Sequence, residues 1–82
     1  MATLLYFGRL SDVTGMPSEE VQLPKEICTA GDLRLWLDQR FEASGTLLEP
    51  TVRIAVNSEI SFDADPVRNG DEIAFMPPVG GG

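Results

Sequence analysis

The chemistry in this sequence is concentrated in its last residues, Pro77-Pro78-Val79-Gly80-Gly81-Gly82. Pro77 and Pro78 lack backbone donors and favour an extended conformation, so they stop a preceding strand and aim the remaining residues away from the body. Val79 to Gly82 reach roughly 13 Å when extended, at about 3.3 Å per residue. Glycine at positions 80, 81 and 82 leaves bare backbone, slender enough to thread a narrow channel and present a terminal carboxylate to a buried site. A carboxylate on Gly82 is a poor acyl donor, because oxide would have to leave. Attack on the α-phosphate of ATP turns it into an acyl-adenylate and releases pyrophosphate. Sulfide equivalents then displace AMP to give a thiocarboxylate, whereas a lysine amine would give a conjugate. Both routes need catalytic groups on another protein. The plain alternative is a glycine-rich end that frays.

The rest of the composition narrows the field. With His 0 and Cys 1, a Ser-His-Asp triad, a Cys-His pair, a histidine metal site and a cysteine-held zinc or iron–sulfur centre are all excluded. No P-loop or dinucleotide-type glycine loop is present. Lys+Arg 6 against Asp+Glu 13 gives a formal net charge of −7, which argues against a nucleic-acid partner and suits docking on electropositive proteins. The opening stretch, Met1-Ala2-Thr3-Leu4-Leu5-Tyr6-Phe7-Gly8, reads as a strand rather than an export signal, and no apolar run is long enough for a membrane span. A cytoplasmic protein is expected, with no membrane partner.

The elements that must hold this tail emerge from periodicity. Residues 3–10 read as a first strand, with Leu4 and Tyr6 inward and Leu5 and Phe7 outward. Residues 11–18, with Thr14-Gly15 and Pro17, read as a turn, and 19–23 as a second short strand ended by Pro24. Thr29 with Asp32 three residues on is a capping-box-like helix start. Leu33, Trp36 or Leu37, and Phe41 form the apolar stripe, Arg34, Asp38 and Glu42 lie off it, and Ser44-Gly45 marks the end. Residues 52–57 alternate as a strand, 60–62 form a brief strand or extended turn, Asn69-Gly70-Asp71 is a turn, and 72–76 are the last strand with Ile73 and Phe75 inward. A hairpin followed by a crossover helix predicts an α+β mixed sheet with one main helix across one face. Element order alone leaves several such topologies open.

Residues 69–82, from Asn69-Gly70-Asp71-Glu72 through Pro77-Pro78-Val79 to Gly81-Gly82, resemble the C-terminal signature of the molybdopterin synthase small subunit (MoaD) family, and Val52 to Asn57 resemble its central strand. The resemblance covers the whole chain and implies a ubiquitin-like β-grasp domain over residues 1–76, followed by an extended flexible tail over 77–82. It implies a sulfur carrier that is itself non-catalytic. An adenylyltransferase of the ubiquitin-activating type (MoeB-like) would use ATP on Gly82, a sulfur donor protein would convert it to a thiocarboxylate, and Gly80 and Gly81 would thread the active site of the large subunit (MoaE-like). Sulfur would pass there to cyclic pyranopterin monophosphate, in a heterotetramer of both subunits. No bound cofactor and no metal site are implied for this chain. Gly80 stands where the family commonly has a small polar residue.

Phe7, Ile60 and Met76 are expected on the sheet face opposite the helix, near the tail. The resemblance makes that face, with Pro77, Pro78 and Val79, a partner-docking surface. Trp36 reads as packing, Cys28 as a buried inert thiol, and Asp63, Asp65, Asp71 and Glu72 as an acidic cluster near the tail, for docking or for turns. Two further functions stay open: a ubiquitin-like sulfur carrier for thiamine or cysteine synthesis, and a modifier conjugated to lysines.

Overall fold

The computed structural model describes residues 1–78. Strand β1 (Ala2–Tyr6) leads to a short helix α1 (Leu10–Thr14), β2 (Ser18–Val21), the main helix α2 (Ala30–Arg40), a 3-10 turn (Thr46–Leu48), β3 (Arg53–Val56), β4 (Glu59–Ser61) and β5 (Glu72–Met76). The sheet order is β2-β1-β5-β3-β4. β1 and β5 are parallel, and the other neighbours are antiparallel. This is the β-grasp arrangement, with the last strand inserted between β1 and β3.

Period-two alternation decides which side chains meet. Leu4 lies beside Ile73, Tyr6 beside Phe75, and Ile54 on the other flank of Phe75. All of these are at most 2% exposed and form the inner face, on which Leu33 and Leu37 of α2 pack. Fully burying an aliphatic or aromatic side chain of this size is worth about 1.5–3 kcal/mol, so this layer holds the strands in register.

The start of α2 is as predicted. The Thr29 hydroxyl accepts from Asp32 N at 3.1 Å, and Asp32 Oδ2 accepts from Thr29 N and from Cys28 N, each at 3.1 Å. The amides of Cys28 and Thr29 hold the Asp32 carboxyl below the usual carboxylate range. The helix stops at Arg40, short of the predicted Ser44-Gly45, and the chain turns back with Glu42 and Ser44 at positive φ. Arg34 and Asp38 are buried, against expectation, because the returning segment lies across them. Asp38 accepts from Gly45 N at 3.0 Å and Leu47 N at 3.2 Å. Arg34 donates to Leu47 O, Glu49 O and Val52 O, at 3.1, 3.3 and 2.6 Å. Its Nε lies 3.1 Å from Asp63 Oδ1, within ion-pair range but misaligned for a hydrogen bond. These two side chains satisfy loop groups that have no ladder or helix partner.

Strand boundaries also shift in β1 to β4. β1 ends at Tyr6 rather than Leu10, and Leu10 to Thr14 form a helical turn where a loop was expected, burying Leu10 and Thr14 together. β2 ends at Val21, and Leu23 reaches the core beyond it with its amide held by Asn69 Oδ1 at 3.0 Å. β3 and β4 are joined through Asn57 and Ser58, both at positive φ, the geometry of a tight primed hairpin turn. β5 has the predicted span, and the Asn69-Gly70 turn before it is present with Gly70 at φ +98°.

Candidate functional site

The tail leaves from the middle of the sheet. β5 is paired on both sides, with β1 and with β3, so Met76 is held laterally up to the last rung, where it faces Arg53. Phe7 N donates to Phe75 O at 3.0 Å, closing the parallel ladder. Pro77 has no donor to continue it. Pro77 is half-buried and Pro78 exposed. The Pro77 ring rests against Gly8, which turns the chain out of β1 at φ +53°. Gly8 was not singled out from the sequence: its neighbour is distant along the chain, and a glycine after an apolar run looks like any strand end.

Phe7, Ile60 and Met76 do share the outer face of the sheet. Phe7 is 48% and Ile60 55% exposed, and Met76 is half-buried. The register sets Leu5, Ala74, Ala55 and Ile60 in one row across the strands, with Met76 and Arg53 in the next. Phe7 and Ile60 are therefore separated by about three strand spacings of ~4.8 Å, with Ala74 and Met76 of β5 and Ala55 and Arg53 of β3 between them. Phe62 is more exposed still, at 71%, and was read only as the end of a brief strand. Its signal was an aromatic residue entering the polar run Asp63-Ala64-Asp65. A cleft of about 520 Å³ opens beside Ile60 and Phe62, walled by Leu48, Arg53 and Asp63.

The expected acidic cluster is dispersed. Asp71 and Glu72 stand at the start of β5, a full strand away from the exit. Asp71 accepts from Asn57 Nδ2 and from Arg68 N, each at 2.9 Å, and Asp65 accepts from Phe62 N at 2.7 Å. These carboxylates shape turns. Cys28 is exposed, not buried, because it sits on the approach to α2 where its amide is used by Asp32; its thiol lies 3.6 Å from Lys25 O. Trp36 is partly buried against the core, with the Arg40 guanidinium 5.5 Å from its ring centre, in keeping with packing.

Ionisation is perturbed most on the helix side of the sheet. Glu19 of β2 accepts from Arg40 at 2.8 and 2.9 Å and from the Tyr6 hydroxyl at 2.7 Å. Partial burial pushes the Glu19 carboxyl up, but the hydrogen bonds from Arg40 and Tyr6 and the Arg40 charge outweigh it and leave it below its ordinary value. Burial, reinforced by Glu19, pushes the Tyr6 phenol far up, and the Glu19 bond raises Arg40. The cluster ties β2 to the end of α2, away from the open face. Among the described residues no group of acidic or cysteine side chains is arranged to hold a metal ion, and no helix is long and apolar enough to cross a membrane. Val79, Gly80, Gly81 and Gly82, the remaining predicted site residues, lie outside the described residues.

Residues 4–82 match the ThiS family. The molybdopterin synthase sulfur carrier subunit of Haemophilus influenzae is 34% identical over 83 residues, covering 100% of both chains. The protein of the same name from Homo sapiens is 32% identical, over 96% of this chain and 91% of its own. Among solved structures, molybdopterin converting factor subunit 1 from Pyrococcus furiosus superposes with a TM-score of 0.79 at 28% identity, covering 95% of this chain and 97% of its own.

Proposed function

The chain belongs to the ThiS family, and from that membership we propose that it is the sulfur carrier subunit of a molybdopterin synthase. What carries this reading is the exit: a strand locked between two others ends at Met76, just before Pro77, so the segment beyond it starts from a rigid base beside an uncovered apolar face. Gly82 bears the reacting carboxylate. An adenylyltransferase of the ubiquitin-activating type attaches AMP to it at the expense of ATP, releasing pyrophosphate. A sulfur donor protein supplies the sulfur, AMP leaves, and a thiocarboxylate remains. The chain binds no cofactor of its own in this scheme.

The relatives' name, a carrier subunit, supports a second, larger subunit as partner. Phe7, Ile60 and Met76 dock on that subunit with Pro77, Pro78 and Val79, while Gly80 and Gly81 thread its active site, where sulfur is transferred to cyclic pyranopterin monophosphate. Both subunits assemble as a heterotetramer in the cytoplasm. The test is the intact mass of the protein isolated from its own cells. Exchange of one oxygen for sulfur at the terminus is expected. A lysine-linked adduct without that exchange would replace the carrier by a modifier, and failure to restore molybdopterin in cells lacking their own carrier would move the sulfur to another pathway.

A further inference from the structure

We infer that Gly8 is a positioning residue for the tail, acting through Pro77. The inference rests on the sulfur-carrier reading above, since it assigns a role in delivering Gly82. A Cβ built on Gly8 would lie 3.0 Å from Pro77 Cγ and 3.7 Å from Pro77 Cδ. Contacts this tight are uncommon for real side chains, so any residue larger than glycine requires the proline ring to give by a few tenths of an ångström. Gly8 is not free to give way. Its carbonyl accepts from Ser11 N at 3.1 Å and from Ser11 Oγ at 2.9 Å. The residue before it is pinned at both ends, Phe7 N to Phe75 O and Phe7 O to Leu10 N, each at 3.0 Å. The turn out of β1 is thus a fixed shelf, and Pro77 is the part that yields.

Pro77 is also where the direction of the tail is set. Its φ is fixed by the ring, and β5 no longer holds the chain beyond Met76. Tilting the ring therefore redirects the rest of the tail while Ile60 and Met76, on paired strands, keep their places. Two effects must be separated in a test, because Gly8 has φ +53°, where most side chains are strained regardless of the space around them. Asparagine tolerates the left-handed region better than other residues while still placing a Cβ against Pro77.

The experiment compares wild type, Gly8→Asn, Pro77→Ala and the double variant. Pyrophosphate release by a MoeB-type adenylyltransferase is followed as a function of carrier concentration, alongside thermal unfolding of each protein. Gly8→Asn is expected to leave KM for the carrier unchanged and to lower kcat about tenfold, the size of effect that sub-ångström to ångström misplacement produces. Removing the ring removes the collision, so the double variant should be no slower than Pro77→Ala alone. A wild-type kcat in Gly8→Asn overturns the inference, as does a double variant that loses the product of the two single effects. If Gly8→Asn folds only when Pro77 is also replaced, the contact serves the fold rather than the tail and the inference fails; if it folds in neither background, φ alone explains the glycine and the inference fails as well. A wild-type chain that releases no pyrophosphate would instead remove the sulfur-carrier reading itself.

Discussion

Removing Gly82 takes away the carboxylate on which the proposed reaction depends, yet the last fully buried side chain, Phe75, lies well before it. The expected outcome of deleting Gly82 is loss of detectable sulfur loading by intact mass, with an unfolding midpoint within about 1 °C of wild type, as for other changes outside a core. Glu19 behaves in the opposite way, mattering to the fold and not to the chemistry. Its carboxyl is held below the ordinary value of ~4.3, so the stability it contributes is present above that pH and is lost as pH falls through the lowered folded value. Glu19→Gln should therefore cost about 1 kcal/mol in urea unfolding at pH 7, and the difference from wild type should shrink at pH 3. At this scale the sequence revealed what depends on residue type alone: the donor-free prolines, the glycine end, and the inward alternation of Leu4, Tyr6, Ile73 and Phe75. It hid whatever depends on a distant neighbour. Gly8 acquires meaning only once Pro77 lies against it, and Cys28 is exposed because its amide serves a helix cap.

Helix α2 shows the same division between local and non-local causes. Its capping box and apolar stripe were written in neighbouring residues, and both are present. Its end was not, because the stop is enforced by Asp38 reaching the amides of a loop that folds back over it. Counting periods puts Asp38 on the solvent side; only the path of the returning chain buries it. Asp38→Ala would strand two amides, one of them in a buried setting, and should cost about 2 kcal/mol in denaturant unfolding. Thr29→Ala should cost about 1 kcal/mol, the usual value of a lost N-cap. A smaller loss for Asp38→Ala than for Thr29→Ala would show that the loop is not held by this carboxylate.

For the molecule as a whole, the layering was legible and the strand order was not. Alternating apolar positions predicted one covered sheet face, but placing the final strand between β1 and β3 required the family resemblance, since hydrophobic patterns carry no record of which strands pair. The uncovered face is where the proposed partner sits. Ile60→Asp sets a charge beside Ala55 and the half-buried Met76 row without entering the core. It should weaken binding to the large subunit about tenfold or more, a loss of ~1.4 kcal/mol or greater, while leaving the unfolding midpoint nearly unchanged. Isothermal titration with the purified large subunit checks this, and unaltered affinity would place the interface elsewhere.

The central seat of β5 has a further consequence for the life of the protein. Until residues 72–76 have been made, β1–β2 and β3–β4 are two hairpins with no strand between them to pair their inner edges, and small isolated hairpins are marginal in water. Ribosomal products that stop early, and chains clipped ahead of this strand, are expected to stay unassembled and open to proteolysis. Folding thus audits synthesis: a molecule that passes has already made the strand that launches its tail.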